Sequence, residues 1–227
     1  MHLAATSSDS DGDKIQITWF ADLSATSRPK VEPADALQVS DDNWTLSNTG
    51  GAVIAVMPIL INSTREIAAS LQISEFAKAS GHQIGGIVFD YKDDTNYSCF
   101  GWNWENGGWV LGRVTDGKFA RYASHGMPLN PRHTYAVILR QEKGKLVALV
   151  DDQVVAETDK FQLRGILGIS GGVPSLTISR LAISPPPGWP DANSPTATLH
   201  DTTTPLLIRA ADQAASSWTA FNPIKPE

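Results

Sequence analysis

Residues 84–114 read IGGIVFDYKDDTNYSCFGWNWENGGWVLGRV, and this stretch decides the fold that the sequence predicts. Apolar and polar residues alternate through three runs, which is the period-two pattern of half-buried β-strands. Two groups of turn-forming residues, 93–96 and 106–108, separate the runs. The stretch therefore predicts three antiparallel strands joined as consecutive hairpins.

The alternation also assigns each side chain of these strands to a face. On the first strand, Ile87, Phe89 and Tyr91 are predicted to share one face, and Val88 and Asp90 the other. On the second strand, one face is predicted to carry Ser98, Phe100, Trp102 and Trp104.

The same strand pattern continues on both sides of this stretch. Residues 67–74 alternate cleanly, whereas the apolar run 52–61 contains Pro58, which predicts an edge strand or a bulge. Near the end of the pattern, the apolar phase shifts between Ile178 and Leu181, which predicts another bulge. About a dozen short strands without a long helical pattern predict an all-β, antiparallel, two-sheet jelly-roll sandwich.

Length and composition limit the possible classes of protein. The 227-residue chain is long enough to bury the core of one sandwich domain. Its formal net charge of −6, without a cluster of Lys and Arg, predicts that nucleic acid is not a partner. No apolar run reaches the roughly 18 residues of a membrane span, so membrane insertion is not expected. The single cysteine, Cys99, excludes an intrachain disulfide.

The composition changes twice along the chain. Residues 1–14 predict an acidic linker, residues 15–184 the sandwich domain, and residues 185–227 a Pro/Thr-rich tail. Within this tail, residues 206–215 predict a short helix or a strap lying against the domain. The first residues lack the basic and apolar regions of a signal peptide, so none is expected in this chain.

Four segments resemble bacterial laminin-G-like or concanavalin A-like lectin/glucanase domains. They are GGIVFDYKDDTNYSCFGWN, WVLGRVTDG, YAVILRQEKGKLVALVDDQVV and GILGISGGVPSLTISRLAI, within residues 45–184. Asp152 stands where a hairpin of that family usually has glycine, and the closing strand lacks the family's aromatic-Asp-Asn. The resemblance implies a two-sheet jelly roll. The family includes sugar binders, adhesion modules and glycosidases.

The tryptophans of the central hairpin are the sharpest candidate for a binding site. Trp102 and Trp104 stand two positions apart on one strand, which separates them by about 7 Å, close to one sugar repeat. Indole rings form flat platforms for the apolar faces of sugars, and neighbouring amides and carboxylates can bond the hydroxyls. The alternative is that this face belongs to the core. The predicted ligand-binding residues are Trp102, Asn103, Trp104, Glu105, Trp109 and Arg113.

Aspartates provide two candidate calcium sites, and Ca²⁺ is the candidate cofactor. Asp93 and Asp94 lie in a predicted turn, and laminin-G-like domains, which the sequence resembles, often hold calcium at a sandwich rim. Asp9, Asp11 and Asp13 alternate as in the aspartate-rich calcium loops of EF-hands. Ordinary turn chemistry and a solvated acidic linker are the respective alternatives.

The sequence thus predicts a non-catalytic carbohydrate-binding module of a larger exported bacterial protein, located outside the cell or at its surface. A protein–protein adhesion or structural module and a glycoside hydrolase of concanavalin-like fold are the alternatives. A hydrolase needs two convergent carboxylates, and the E-x-D-x-E and E-x-D-x-x-E arrangements typical of concanavalin-like glucanases do not occur. The expected partner is a glycan or a protein ligand.

Overall fold

The computed structural model describes residues 2–4, 16–22, 29–40, 43–47, 53–62, 64–74, 84–103, 105, 107–171, 175–184, 196–198, 206–211 and 216–221. Outside residues 29–184, the description is confined to the backbone.

The described residues form eighteen strands and one short 3₁₀ turn at Ala34–Ala36. The strands are β1 His2–Ala4, β2 Gln16–Asp22, β3 Leu37–Ser40, β4 Asn43–Leu46, β5 Val53–Leu60, β6 Glu66–Ile73, β7 Ile84–Asp93, β8 Asn96–Asn103, β9 Gly108–Thr115, β10 Lys118–Gly126, β11 Thr134–Glu142, β12 Lys145–Val150, β13 Gln153–Thr158, β14 Ile166–Gly171, β15 Leu176–Ser184, β16 Thr196–Thr198, β17 Leu206–Ala211 and β18 Ser216–Phe221.

Two large antiparallel sheets make up the sandwich. The six-stranded sheet has the order β10-β9-β8-β7-β14-β5. The ten-stranded sheet has the order β13-β12-β11-β6-β15-β2-β17-β18, with β4 also paired to β15 and β3 paired to β4. Strands β1 and β16 form a separate pair. The predicted all-β, antiparallel, two-sheet sandwich is confirmed.

The predicted hairpins of residues 84–114 are strands β7, β8 and β9 at the centre of the six-stranded sheet. The predicted irregularities are also present. Strand β5, which contains Pro58, lies at the sheet edge, and its pairing with β14 shifts register between Ile166 and Gly168. Strand β15 shifts register against β6 between Ile178 and Arg180. A proline in an apolar run and a slip in apolar phase were therefore sufficient to predict the edge strand and the bulge.

One predicted face assignment is wrong, at Tyr91. The ladder between β7 and β8 shifts register after Phe89, and Asp90 has a φ of 50°, in the left-handed region. Phe89 packs in the main core, whereas Tyr91 packs in a separate cluster with Val88. An irregularity at Asp90 thus moves Tyr91 to the face opposite the one that strict alternation assigns.

The main core lies between the two sheets. Its largest fully buried side chains include Trp44, Met57, Phe89, Phe100, Trp109 and Phe161. Burying a side chain of this size contributes roughly 1.5–3 kcal/mol of transfer free energy. One ion pair lies beside the core, where Arg140 Nε donates to Glu66 Oε2 at 2.7 Å, with 7% of the Glu66 side chain exposed. Opposite positions in the β6–β11 ladder bring the two residues together.

The tail predicted from composition contributes strands to the described structure. Strand β17 pairs along its whole length with β2, and β18 pairs with β17, so residues 206–211 are a strand and not a helix. The described part of the chain contains no helix with the length and hydropathy that a membrane crossing requires.

Candidate functional site

Two of the three predicted platform tryptophans lie in the core. Trp109 has no exposed surface and Trp102 is 5% exposed, and the two residues are directly opposite each other in the β8–β9 ladder. Trp109 stacks on Phe100 with ring centroids 5.6 Å apart and meets Tyr135 edge-on at 5.3 Å. Neither indole offers a face to a ligand, which is what the core-packing alternative predicts. Trp104 lies outside the described residues.

The other predicted ligand-binding residues do not form one group. Asn103 is buried and Glu105 is exposed. Arg113 pairs with Ser98, four positions along β9 from Trp109, which places it about 13 Å away along the strand. The structure therefore separates Arg113 from the tryptophan hairpin.

The Asp93–Asp94 turn is held by its own hydrogen bonds. Asp93 Oδ1 accepts from the Thr95 backbone N–H at 2.8 Å, from Thr95 Oγ1 at 2.6 Å and from Asn96 Nδ2 at 3.1 Å. The hydrogen bonds from Thr95, followed by that from Asn96, lower the pKa of Asp93. Asp94 Oδ1 accepts from Tyr91 Oη at 2.8 Å. Both carboxylates thus have structural partners within the turn, as the turn-chemistry alternative requires.

No group of three or more His, Cys, Asp and Glu side chains suited to a metal occurs within the described segments. The aspartates of the second candidate calcium site, Asp9, Asp11 and Asp13, lie outside them. Calcium binding at Asp93 and Asp94 stays a prediction.

The outer face of the six-stranded sheet, which points away from the other sheet, carries a second apolar layer. Val88, Cys99 and Val110 have no exposed surface and form a cluster with Ile84. Ile54, Tyr91, Tyr97 and Phe119 pack around this cluster while remaining partly exposed. The sheet is therefore apolar on both faces, and aromatic side chains border its outer face.

A cavity lies on this outer face, beside the edge strand β5. We call it the tyrosine cleft, and its volume is about 460 Å³. Its lining residues are Lys30, Val31, Glu32, Val53, Ile54, Val56, Tyr91, Asp94 and Tyr97. A volume of about 300–1,000 Å³ is typical of small-ligand sites.

The β5 side of the tyrosine cleft is formed by residues far apart in sequence. The Lys30 backbone N–H donates to Val56 O at 2.7 Å, and the Val56 N–H donates to Lys30 O at 2.7 Å. This bridge adds the segment of Lys30 and Glu32 to the exposed edge of β5, next to Ile54. Charged side chains thus border an apolar floor.

The two tyrosines of the cleft carry protonated hydroxyls over a wide pH range. Burial, followed by the hydrogen bond to Asp94, raises the pKa of Tyr91 to about 12. Burial is also the main reason that the pKa of Tyr97 lies well above its ordinary value. Both residues therefore present a partly exposed ring and a neutral hydroxyl, which suits a ligand with apolar faces and hydroxyl groups.

A second, smaller cavity of about 200 Å³ adjoins the tyrosine cleft at Tyr97. We call it the arginine cavity. Its lining residues are Asp90, Lys92, Asn96, Tyr97, Arg113, Val114, Thr115 and Arg164. Arg113, predicted as a ligand-binding residue, lies here.

Sequence reasoning missed most of the tyrosine cleft. Tyr91 was assigned to the same face as Ile87 and Phe89 because the irregularity at Asp90 has no apolar signature. Lys30 and Glu32 fell in a stretch without strand periodicity. A sequence signal was present only for Tyr91 and Tyr97, two aromatic residues on either side of a polar turn.

The predicted protein-binding alternative requires an exposed apolar patch. The large apolar side chains that are exposed in the described structure are Val39, Leu60, Tyr122 and Val154. They lie on four different strands, β3, β5, β10 and β13.

Comparison with known proteins places the fold. The chain is similar to the carbohydrate-binding module CBM66 from Bacillus subtilis, with a TM-score of 0.53 and 13% identity over 74% of this chain and 97% of the module. It is also similar to the Ca²⁺-bound exoplasmic/lumenal domain of VIP36, with a TM-score of 0.48 and 11% identity over 73% of this chain and 82% of that domain. The galectin LEC-6 of Caenorhabditis elegans gives a TM-score of 0.42 and 12% identity, over 62% of this chain and 95% of the galectin.

No family model and no curated protein matches the sequence. The likeness to the Bacillus module shows that the chain has a β-sandwich of the lectin-like class of folds. The laminin-G-like variety of this class stays a prediction. A structural likeness at such low sequence identity is evidence for the fold only, whereas the ligand and the activity depend on the residues of the site.

Proposed function

We propose that the chain is a non-catalytic carbohydrate-binding module that holds a glycan in the tyrosine cleft. The observation that carries this proposal is the combination of two half-buried tyrosines, Tyr91 and Tyr97, with a charged rim in one cavity. A sugar has apolar C–H faces that pack on aromatic rings and hydroxyls that bond to charged and polar groups. The proposal keeps the predicted ligand class and moves the site from the tryptophan hairpin to the opposite face of the sheet.

The polar groups of the rim suit a ligand with several hydroxyls. Lys30 offers only donors, whereas Glu32 and Asp94 offer acceptors when ionised. The Tyr91 hydroxyl donates to Asp94, so one of its lone pairs can accept from a sugar hydroxyl. Ile54 and Val56 form an apolar floor that offers no side-chain hydrogen bonds. The polar groups of the rim are therefore the ones that orient the ligand.

Affinity electrophoresis of the full chain through gels containing soluble polysaccharides tests this proposal. At least one polysaccharide should retard the wild type. Y91A and Y97A should each weaken that binding by roughly threefold to tenfold, the size of an aromatic packing contribution. Y122A is the matched control, because Tyr122 is 48% exposed and lies outside the cleft.

Two results would overturn the proposal. One is the absence of retardation of the wild type by any member of a broad panel. The other is unchanged binding by Y91A and Y97A when both variants retain the near-ultraviolet circular dichroism of the wild type. A loss of binding in Y122A equal to that in Y91A would also place the ligand elsewhere.

A glycoside hydrolase is the second candidate function, because two carboxylates, Glu32 and Asp94, line the same cleft. Glycoside hydrolysis uses such a pair on either side of the scissile bond. Reducing-sugar release from a retained polysaccharide would support hydrolysis if both E32Q and D94N abolish it. Retention without release supports the non-catalytic module.

We also propose that the module acts outside the cell or at its surface, as one domain of a longer exported bacterial protein. A site for polysaccharide on a sandwich surface supports this location. Fractionation of the producing cells with an antibody against the chain tests it. Recovery of the antigen from the cytoplasm alone would contradict it.

A further inference from the structure

The arginine cavity has a positive charge balance in an acidic chain. Three cationic side chains, Lys92, Arg113 and Arg164, line it together with one carboxylate, Asp90. The formal charge of the lining is therefore positive, although the chain as a whole carries −6. The tyrosine cleft next to it has the opposite balance, with Glu32 and Asp94 against Lys30.

Asp90 fixes the positions of both guanidinium groups. Its Oδ2 lies 3.4 Å from Arg113 Nη2 and 3.3 Å from Arg164 Nη2, and 17% of its side chain is exposed. Its backbone N–H donates to Arg164 O at 2.8 Å. Gly165 lies so close that a Cβ there would come within 2.8 Å of the Asp90 Cα. This close packing holds the loop of Arg164 against β7.

Arg113 is oriented by two further contacts. Its Nε donates to Ser98 Oγ at 3.1 Å, and its guanidinium carbon lies 4.9 Å from the ring centroid of Phe161. Ser98 and Phe161 are both buried, so these contacts fix the plane of the guanidinium. A guanidinium has five N–H donors, and the bonds to Ser98 and Asp90 leave donors for a ligand.

We propose that the arginine cavity binds the carboxylate or sulfate group of an acidic polysaccharide whose neighbouring sugar ring lies in the tyrosine cleft. This inference rests on the proposed function and names its substrate class. The two cavities share the lining residue Tyr97, which places them next to each other. Fixed, partly exposed guanidinium groups recognise oxyanions through paired N–H donors.

Two pairs of polysaccharides test the inference with the full chain. Dextran sulfate with dextran varies sulfate on one backbone, and polygalacturonate with its methyl ester varies carboxylate on another. The charged member of at least one pair should bind about tenfold more tightly than its neutral member, as expected for charge-assisted hydrogen bonds. R164M should remove this preference without weakening binding of the neutral member.

R164M is the main variant because 56% of the Arg164 side chain is exposed, so its removal leaves the core intact. K92M is a second variant with an exposed side chain, in case R164M does not fold. R132M is the matched control, because Arg132 is exposed and lies outside both cavities. An equal effect of R132M and R164M would show general charge attraction and overturn the inference.

The outcomes separate this inference from the proposed function. Equal binding of charged and neutral members, lost in Y97A, overturns the anion site and leaves the carbohydrate module in place. No binding of any polysaccharide overturns both. Inorganic sulfate tests whether the arginine cavity binds a free anion that is not part of a polysaccharide. If sulfate alone raises the Tm of the wild type more than chloride at equal ionic strength, and R164M removes this rise while charged and neutral polysaccharides bind equally, the cavity binds free anions and the polysaccharide assignment falls.

Discussion

Cys99 is the only cysteine of the chain, and it has no exposed surface at the centre of the six-stranded sheet. Its strand β8 is paired on both sides, with β7 and with β9. Its sulfur lies 3.8 Å from Gly112 O, to which the thiol donates. Burial raises the pKa of this thiol from 9.0 to about 12. We predict that an aromatic disulfide reagent does not modify Cys99 in the native protein on the timescale of an unfolded cysteine.

The raised pKa of Cys99 accounts for one part of the expected decrease in the rate of modification. At about pH 8, a thiol with a pKa of about 12 is ionised in about 10⁻⁴ of the molecules, whereas a pKa of 9.0 gives about 10⁻¹. Because the thiolate is the nucleophile, ionisation alone slows the reaction by about 10³-fold. This factor applies to attack on the buried thiol in the closed sheet. When the sheet opens, the thiol regains its ordinary pKa, and the rate by that route is the rate of the unfolded thiol multiplied by the equilibrium constant of opening.

The assay follows absorbance of the released aromatic thiol at increasing urea concentrations below the unfolding transition. Since β8 is a central strand, the logarithm of the rate should rise with the m value of global unfolding. C99A should give no signal, and the unfolded wild type should give one equivalent. Complete modification at the unfolded rate, with unchanged near-ultraviolet circular dichroism, would refute the burial argument.

The remaining predictions concern stability. R140M should lower the free energy of unfolding by about 3 kcal/mol in urea titration, because it removes an ion-pair partner of the buried Glu66 carboxylate; an equal loss in R140M and in the double variant R140M/E66Q would refute an interaction between the two. G86A should cost roughly 1–3 kcal/mol, because its Cβ would lie 2.3 Å from a backbone oxygen, whereas in G85A the nearest atom lies at 3.8 Å; equal effects would contradict the packing. D93N should lower the Tm at neutral pH. The pKa of Asp93 is lower in the folded state than its ordinary value of 3.8, so the ionised carboxylate stabilises the fold above that value. This stabilisation is lost as the pH falls through the folded pKa. The difference in Tm between the wild type and D93N should therefore vanish in acid. Calcium at this turn would add a rise in Tm that EDTA reverses and D93N removes.

The sandwich was predictable because strand periodicity is local. Alternation located β7, β8 and β9, and Pro58 marked an edge strand without any tertiary information. The phase slip between Ile178 and Leu181 marked a bulge, because strand β15 alternates regularly on both sides of it. These features require only the order of residues along one strand.

The site was not predictable because the sheet is apolar on both faces. With Val88 and Cys99 on one face and Phe89 and Phe100 on the other, periodicity does not reveal which face meets the second sheet. The indoles of the central hairpin were therefore open to two interpretations, a ligand platform or part of the core, and Trp102 and Trp109 lie in the core.

The β5 side of the cleft depends on tertiary structure. Lys30 reaches Val56 through a single backbone bridge between segments 26 positions apart. Neither segment has a sequence pattern that predicts its pairing with the other. Long-range contacts of this kind follow from the packed fold and are absent from local sequence patterns.

The two-sided character of β8 has a consequence for evolution. Tyr97 lines both cavities, whereas Phe100, three positions on, fills the main core. Under the proposed function, selection for ligand choice and selection for folding act on different positions of the same strand. After gene duplication, a copy of such a module can change its sugar specificity through a few outward-facing substitutions while it inherits an intact core.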